Sequence, residues 1–190
     1  VAGTAGIPSG GTLGAGGAPP AAGGAAGAAG SDSAGAPGRT LYSVLLDRQG
    51  LDCYSCALAN CGPDMDLNPV GFDVISPAGV DDSLSCDTIT GSDAQGVARS
   101  ELCYNVIDCI LQTNCIANNS VQPCYCGSAG TACTTAGAAN GACLAAEQAG
   151  LENADPTFAA TNFTNTDLAT GRANLLGQCM IYAGCSSCLN

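Results

Sequence analysis

The sequence predicts a small α-rich, disulfide-stabilised domain with long loops, preceded by an extended Gly/Ala/Pro-rich arm of polyproline II type. All 14 cysteines lie between Cys53 and Cys188, a density typical of disulfide scaffolds from oxidising compartments. With three Phe, five Tyr and no Trp, the core must use Leu, Ile, Val and Ala, so cross-links must supply missing stability. Apolar residues recur at helical spacing in several segments after residue 38, and we therefore expect helices there.

We divide the chain into an arm (1–38) and a cysteine-rich disulfide domain (39–190). The arm holds 13 Gly, 12 Ala and 4 Pro, with Asp32 as its only charge, so it cannot bury a core of its own. Such composition is typical of a passive linker. Gly11, Gly14, Gly17 and Gly23 nevertheless share a three-residue register, the period of polyproline II, in which a glycine face packs closely on a neighbouring backbone.

The domain begins with a predicted helix from Thr40 to Cys61, which has a potential break at Gly50 and ends at Gly62-Pro63. The Asp-, Pro- and Gly-rich stretch from Pro63 to Ile89 predicts a long loop with at most one short strand.

The strongest helical pattern follows this loop. Ser92 and Gln95 form a weak capping box, and the predicted helix runs to about Thr113. The stretch 114–141 is rich in turn residues, while Ala142 to Leu151 and Asp167 to about Ala183 predict two more helices.

Cysteine spacing makes the central helix a hub of cross-links. Cys103, Cys109 and Cys115 are six residues apart, so successive side chains rotate by about 600° and leave the helix on three sides. No two of them can pair within the helix. The C-x-x-C pairs near each end of the domain would clamp the first and last segments around the hub. We predict that every cysteine is paired, with the connectivity left open: Cys53, Cys56, Cys61, Cys86, Cys103, Cys109, Cys115, Cys124, Cys126, Cys133, Cys143, Cys179, Cys185 and Cys188.

The same cysteines invite a zinc or iron–sulfur interpretation, because closely spaced thiolates can share an ion. The absence of histidine, the even count and the irregular spacing favour disulfides. The pattern also lacks a haem-attachment motif, and neither C-x-x-C pair has the strand-to-helix context of a thioredoxin-like site.

We expect no enzyme activity and no cofactor. Lack of histidine removes most general-base, triad and metal-hydrolase chemistry. The paired carboxylates Asp64 and Asp66, or Asp81 and Asp82, would suit glycoside cleavage, but loop aspartates of an acidic protein are usually solvated.

One weak calcium candidate remains. Asp64, Asp66 and Asn68 alternate as oxygen ligands do at the start of a calcium loop. Pro69 replaces the turn glycine and Ile75 replaces the bidentate glutamate, so the pattern departs from an EF-hand.

Charge and hydropathy limit the classes of partner that we expect. Four Arg and no Lys against sixteen acidic residues give a net charge of −12, which disfavours nucleic acid and anionic lipid. No apolar stretch approaches the roughly 20 residues of a membrane span. We expect an extracellular or cell-surface protein whose signal peptide has been removed. Two N-glycosylation patterns, at Asn118 and Asn162, fall in predicted loops and are interpreted as chance matches.

The stretch from Glu101 to Asn190 carries ELCYNVIDCILQTNC, PCYCG, ANGAC, ATGRANLLGQC and CSSC. It resembles uncharacterised cysteine-rich exported proteins of the myxobacterial type, which have a Gly/Ala-rich N-terminal tether. The resemblance rests on cysteine spacing and covers about half the chain. It implies an exported bacterial protein and implies no activity or catalytic residue.

Two functional hypotheses remain. The first is an extracellular structural protein, a subunit of a filament or surface assembly that self-associates through residues 1–38. The second is a tethered binding module for a ligand or calcium, in which the arm is a passive spacer.

Overall fold

The protein is described by a computed structural model that covers residues 39–62, 84–135 and 137–189. Six α-helices lie in these ranges: α1 (Leu41–Cys61), α2 (Arg99–Thr113), α3 (Gln122–Cys126), α4 (Leu144–Leu151), α5 (Pro156–Asn162) and α6 (Ala169–Tyr182). Three 3₁₀ segments span Cys86–Thr88, Gly127–Thr134 and Ser186–Cys188. The described residues form no strand, only two isolated bridges. The predicted α-rich, disulfide-stabilised class is confirmed, while the arm and most of the predicted loop, residues 63–83, lie outside the described ranges.

Helix α1 forms as its sequence predicts. The Thr40 hydroxyl accepts from the Ser43 amide at 3.2 Å and the Ser43 hydroxyl accepts from the Thr40 amide at 3.0 Å, closing a reciprocal cap. The helix breaks at Gly50, where φ is 79° and ψ is −178°. Only glycine adopts this backbone conformation without strain, so the break predicted at Gly50 is confirmed.

Helix α2 begins six residues later than the capping-box pattern predicted, with Ala98 in place of Ser92 at its N-cap. Ser92 pairs instead with Ala98 in an isolated bridge. Between them, the Asp93 carboxylate accepts from the backbone amides of Gln95 and Val97, at 2.9 and 2.8 Å. The Asp93 side chain thus holds a turn that competes with the helix. The predicted end at Thr113 is correct, because Asn114 takes the left-handed conformation with φ 44°.

The remaining helices correct the predicted pattern in detail. Helix α4 starts at Leu144 instead of Ala142, and α6 starts at Ala169 instead of Asp167. The stretch 114–141, predicted to be rich in turns, also holds the five-residue helix α3 and the longest of the described 3₁₀ segments. Helix α5 was not predicted. Asp155 caps it by accepting from the Thr157 amide at 2.8 Å.

Two apolar cores organise the domain. The larger core centres on α2, which packs mainly against α6 and also against α1 and α4. The smaller core has Tyr125, Cys126, Cys133, Leu151 and Ala159 as its buried members, with partly buried side chains such as those of Phe158 and Phe163 around them. It joins α3, the following 3₁₀ segment, α4 and α5.

All 14 cysteines are paired in seven disulfides. Three connect α1 to the C-terminal part: Cys53–Cys188, Cys56–Cys185 and Cys61–Cys179. We call these three bridges the terminal clamp. The central helix has three separate partners, as its spacing predicts: Cys103 with Cys86, Cys109 with Cys143, and Cys115, just beyond α2, with Cys124. The seventh bridge, Cys126–Cys133, is local to the smaller core.

Candidate binding groove

The smaller core opens at the surface as a groove of about 410 Å³. Its walls come from α3 and the two residues before it, the end of the following 3₁₀ segment, α5 with the turn after it, and Gln178 of α6. The described residues that line it include no charged side chain. The volume falls within the roughly 300–1000 Å³ of small-ligand sites, which are mostly apolar with a few polar groups.

Two aromatic rings line the groove. The rings of Tyr125 and Phe163 meet edge to face, with centroids 6.3 Å apart and an interplanar angle of 79°. Tyr125 is only 3% exposed. Its hydroxyl is buried and has no hydrogen-bond partner among the residues that the structure describes. A buried hydroxyl without a partner loses its hydration without compensation. A ligand atom that accepts a hydrogen bond from this hydroxyl would offset that cost.

Short covalent and backbone links hold α3 in place. Cys124 and Cys126 tie α3 to Cys115 and Cys133. The amides of Gly141 and Cys143 donate to the carbonyls of Tyr125 and Cys124, each at 2.9 Å. A helix of five residues is too short to be stable alone, so these links fix the orientation of the Tyr125 ring.

Phe163 is held through its backbone by a hydrogen bond from α6. The Asn174 side chain on α6 donates from Nδ2 to the Phe163 carbonyl at 3.1 Å and to Glu147 Oε2 at 3.0 Å. Glu147 and Asn174 are both fully buried, and within the described ranges Glu147 Oε1 and Asn174 Oδ1 have no hydrogen-bond partner. Burial raises the pKa of Glu147 to about 8, against the opposite effect of the Asn174 hydrogen bond. Glu147 is therefore largely protonated at neutral pH.

All four arginines of the chain are engaged by the domain itself. Three make ion pairs with carboxylates and the fourth binds backbone carbonyls: Arg39 with Glu101, Arg48 with Asp108, Arg99 with Glu152, and Arg172 with Thr166 and Ser85 at 2.7 and 2.9 Å. Arg39 also lies over the Tyr104 ring, 5.6 Å from its centroid. Each arginine side chain therefore already has a partner within the described residues.

The predicted calcium ligands Asp64, Asp66 and Asn68 lie outside the described residues, as do Asp81 and Asp82. The calcium site and the paired-carboxylate interpretation therefore stay predictions.

The sulfurs of Cys115, Cys124 and Cys143 lie within 4.8 Å of one another. Cys115 and Cys143 belong to different bridges, and their sulfurs are 3.6 Å apart. All three are oxidised in disulfides, and metal ligation by cysteine requires thiolates. This cluster is therefore a contact between two bridges.

The two N-glycosylation patterns differ in their surroundings. Asn118 lies in a tight turn between Ala117 and Ser120, with φ 53°, as the loop prediction requires. Asn162 is the last residue of α5, so its assignment to a loop is wrong. No helix in the described ranges has the length and apolarity to cross a membrane.

Three side chains that shape this region were not predicted from the sequence: Tyr125, Phe163 and Glu147. The burial of Glu147 could have been predicted, because Glu147 shares a helix face with Leu144, Gly150 and Leu151 in LAAEQAGL. Tyr125 sits between two cysteines in PCYCG, where bridges on both sides force burial. Phe163 carried no comparable signal.

No family model, curated protein or solved structure matches the chain. The resemblance to exported cysteine-rich proteins therefore stays a prediction, and function has to be argued from the geometry of the domain.

Proposed function

We propose that the chain is an extracellular, non-enzymatic structural protein, a subunit that joins neighbouring copies in a filament or surface assembly through residues 1–38. The observation that carries this proposal is the terminal clamp. The arm enters the domain directly before α1, so a load on the arm is transmitted to α1. Cys53, Cys56 and Cys61 then transmit it covalently to the C-terminal part of the domain.

The start of α1 is fastened independently of the clamp. Leu41 and Leu45 are fully buried, and the Asp87 carboxylate accepts from the Leu41 amide at 2.8 Å. Asp87 also accepts from the Tyr104 hydroxyl at 2.6 Å, which connects this cap to α2. The start of α1 is therefore bound to the core by contacts that precede Cys53, the first disulfide cysteine, in the sequence.

Charge favours the arm as the contact between copies. Fifteen of the sixteen acidic residues and all four arginines follow residue 38, giving the domain a net charge of −11, whereas residues 1–31 carry no charged side chain. Two such domains repel each other at close range. Contact through the arm, whose only charge is Asp32, avoids most of this repulsion.

A non-enzymatic role agrees with the titratable groups that the structure describes. The two most strongly shifted groups are Glu147, which is fully buried, and Tyr104, whose pKa is raised mainly by burial and next by its hydrogen bond to Asp87. Neither side chain lines the groove. Seven disulfides also favour an oxidising compartment, which supports the extracellular location.

The second candidate, a tethered binding module with the arm as spacer, is favoured by the groove and its unpartnered Tyr125 hydroxyl. The two hypotheses differ in what the arm does. An assembly subunit loses its higher-order state without the arm, while a binding module does not.

The test compares the full chain with a variant in which residues 1–38 are replaced by a Gly/Ser linker of equal length. Sedimentation velocity and electron microscopy should show large assemblies for the full chain and monomers for the variant. Equal circular dichroism and equal absence of free thiols verify that the variant still folds. A full chain that is monomeric at all concentrations, or a variant that assembles equally well, would refute the structural role.

A further inference from the structure

We propose that the groove lined by Tyr125 and Phe163 binds the Ala18-Pro19-Pro20 segment of a second copy of this chain. The inference rests on the proposed function, and it names the two surfaces through which copies would join.

The groove has the chemistry of a polyproline II site. Such sites are aromatic-lined, and they recognise an extended segment whose backbone carbonyls make no internal hydrogen bond. Here the rings of Tyr125 and Phe163 belong to the lining of the groove, together with Pro156 and Ala160 of α5. The buried Tyr125 hydroxyl has no partner among the described residues, and a free carbonyl of an extended segment would supply an acceptor.

The charge of the groove matches the same occupant. The described lining residues are uncharged, and so is the chain from residue 1 to 31. A charged peptide would lose hydration in this groove without meeting an opposite charge. A Gly/Ala/Pro segment meets no such penalty.

Pro19-Pro20 is the only adjacent pair of prolines in the chain. Proline has a fixed φ, so ordering this pair costs less backbone entropy than ordering the Gly-rich stretches on either side. The 18 residues from 21 to 38 reach up to about 56 Å at ~3.1 Å per residue. That reach exceeds the radius of gyration of about 15 Å expected for a domain of this size, so the segment can extend to a neighbouring copy.

The binding test uses ¹⁵N-labelled full chain with Pro19→Ala and Pro20→Ala, so that its own segment does not compete. The probe is a synthetic peptide of residues 14–24, and the matched control peptide has alanine at both prolines. Amide shifts should concentrate at Tyr125, Ala159 and Phe163, with the control peptide binding at least about tenfold more weakly. Equal binding of both peptides, or no shift at millimolar peptide, would overturn the assignment.

Tyr125→Phe in the same background tests the hydroxyl. The peptide should bind about three- to tenfold more weakly, as expected for one lost hydrogen bond. The unfolding midpoint should not fall, because the hydroxyl has no partner in the described part of the free chain. A lower midpoint with unchanged binding would show that the hydroxyl serves the fold and would refute its role in the groove.

A charge placed in the groove of the otherwise unaltered chain tests assembly. Ala160 lies exposed in the wall, so Ala160→Glu should abolish assembly, while Ala145→Glu on the exposed face of α4 should leave it intact. If the chain assembles and Ala160→Glu has no effect, the groove assignment is wrong and the structural role stands. If the chain is monomeric but the peptide binds, the groove recognises the segment, while both the structural role and its occupation by a second copy are wrong.

Discussion

Replacing Glu147 with glutamine should stabilise the protein at pH 8 and remove much of the pH dependence of its stability. The Glu147 carboxyl is fully buried, and Oε2 accepts from the Asn174 amide at 3.0 Å. Oε1 of Glu147 and Oδ1 of Asn174 have no hydrogen-bond partner among the described residues. Burial disfavours the charged carboxylate, and protonation removes that charge. Glutamine is neutral at every pH.

The magnitude follows from the two protonation states. The pKa of Glu147 is about 8 in the fold and near 4.5 ordinarily. Between these values the folded state holds a proton that the unfolded chain has lost, so the free energy of unfolding falls as pH rises. The slope is about 1.4 kcal/mol per pH unit, which gives a loss on the order of 5 kcal/mol across the window. Above about pH 8 the contribution levels off.

Chemical denaturation without reductant, from pH 5 to 9, measures this effect. The difference in unfolding free energy between wild type and Glu147→Gln should grow through the window and become constant near pH 8. Asp52→Asn, at an exposed position of α1, is the control and should run parallel to wild type. Parallel curves for wild type and Glu147→Gln would mean that the carboxyl is already charged below pH 5, which would refute the argument.

Three further predictions concern other parts of the chain. Gly171→Ala should lower the unfolding free energy by about 2 kcal/mol in denaturant titrations, because the new Cβ would lie 1.9 Å from the Asn165 carbonyl oxygen; an unchanged midpoint would contradict this close approach. Thiol titration of the denatured, unreduced chain should find no free thiols, and two or more per chain would contradict full pairing. Millimolar calcium should raise the melting temperature if Asp64, Asp66 and Asn68 bind it, and the rise should disappear when both aspartates are changed to asparagine.

Sequence reasoning succeeded where a single local rule decides the outcome. The break at Gly50 follows from the backbone freedom of glycine, and the separate partners of Cys103 and Cys109 follow from six-residue spacing on a helix. The start of α2 was wrong because two local rules competed. Ser92 and Gln95 fit a capping box, but Asp93 bonds to amides two and four residues ahead and holds a turn instead.

The groove could not be predicted because its elements lack periodicity. Helices α3 and α5 have five and seven residues, too few to display a hydrophobic pattern. Their positions depend on contacts that are distant in sequence, such as the hydrogen bond from Asn174 to the Phe163 carbonyl. Tyr125 in PCYCG was visible in the sequence, but the absence of a partner for its hydroxyl appears only in the fold.

The disulfides divide into two groups with different effects. The terminal clamp closes loops with sequence separations of 118 to 135, whereas Cys115–Cys124 and Cys126–Cys133 close separations of 9 and 7. Since the entropy removed from the unfolded chain grows with loop length, the clamp contributes more to global stability. The two short bridges instead fix α3, which is too short to persist alone. The groove therefore requires an oxidised chain, and under the proposed function the contact between copies would form only after export to an oxidising compartment.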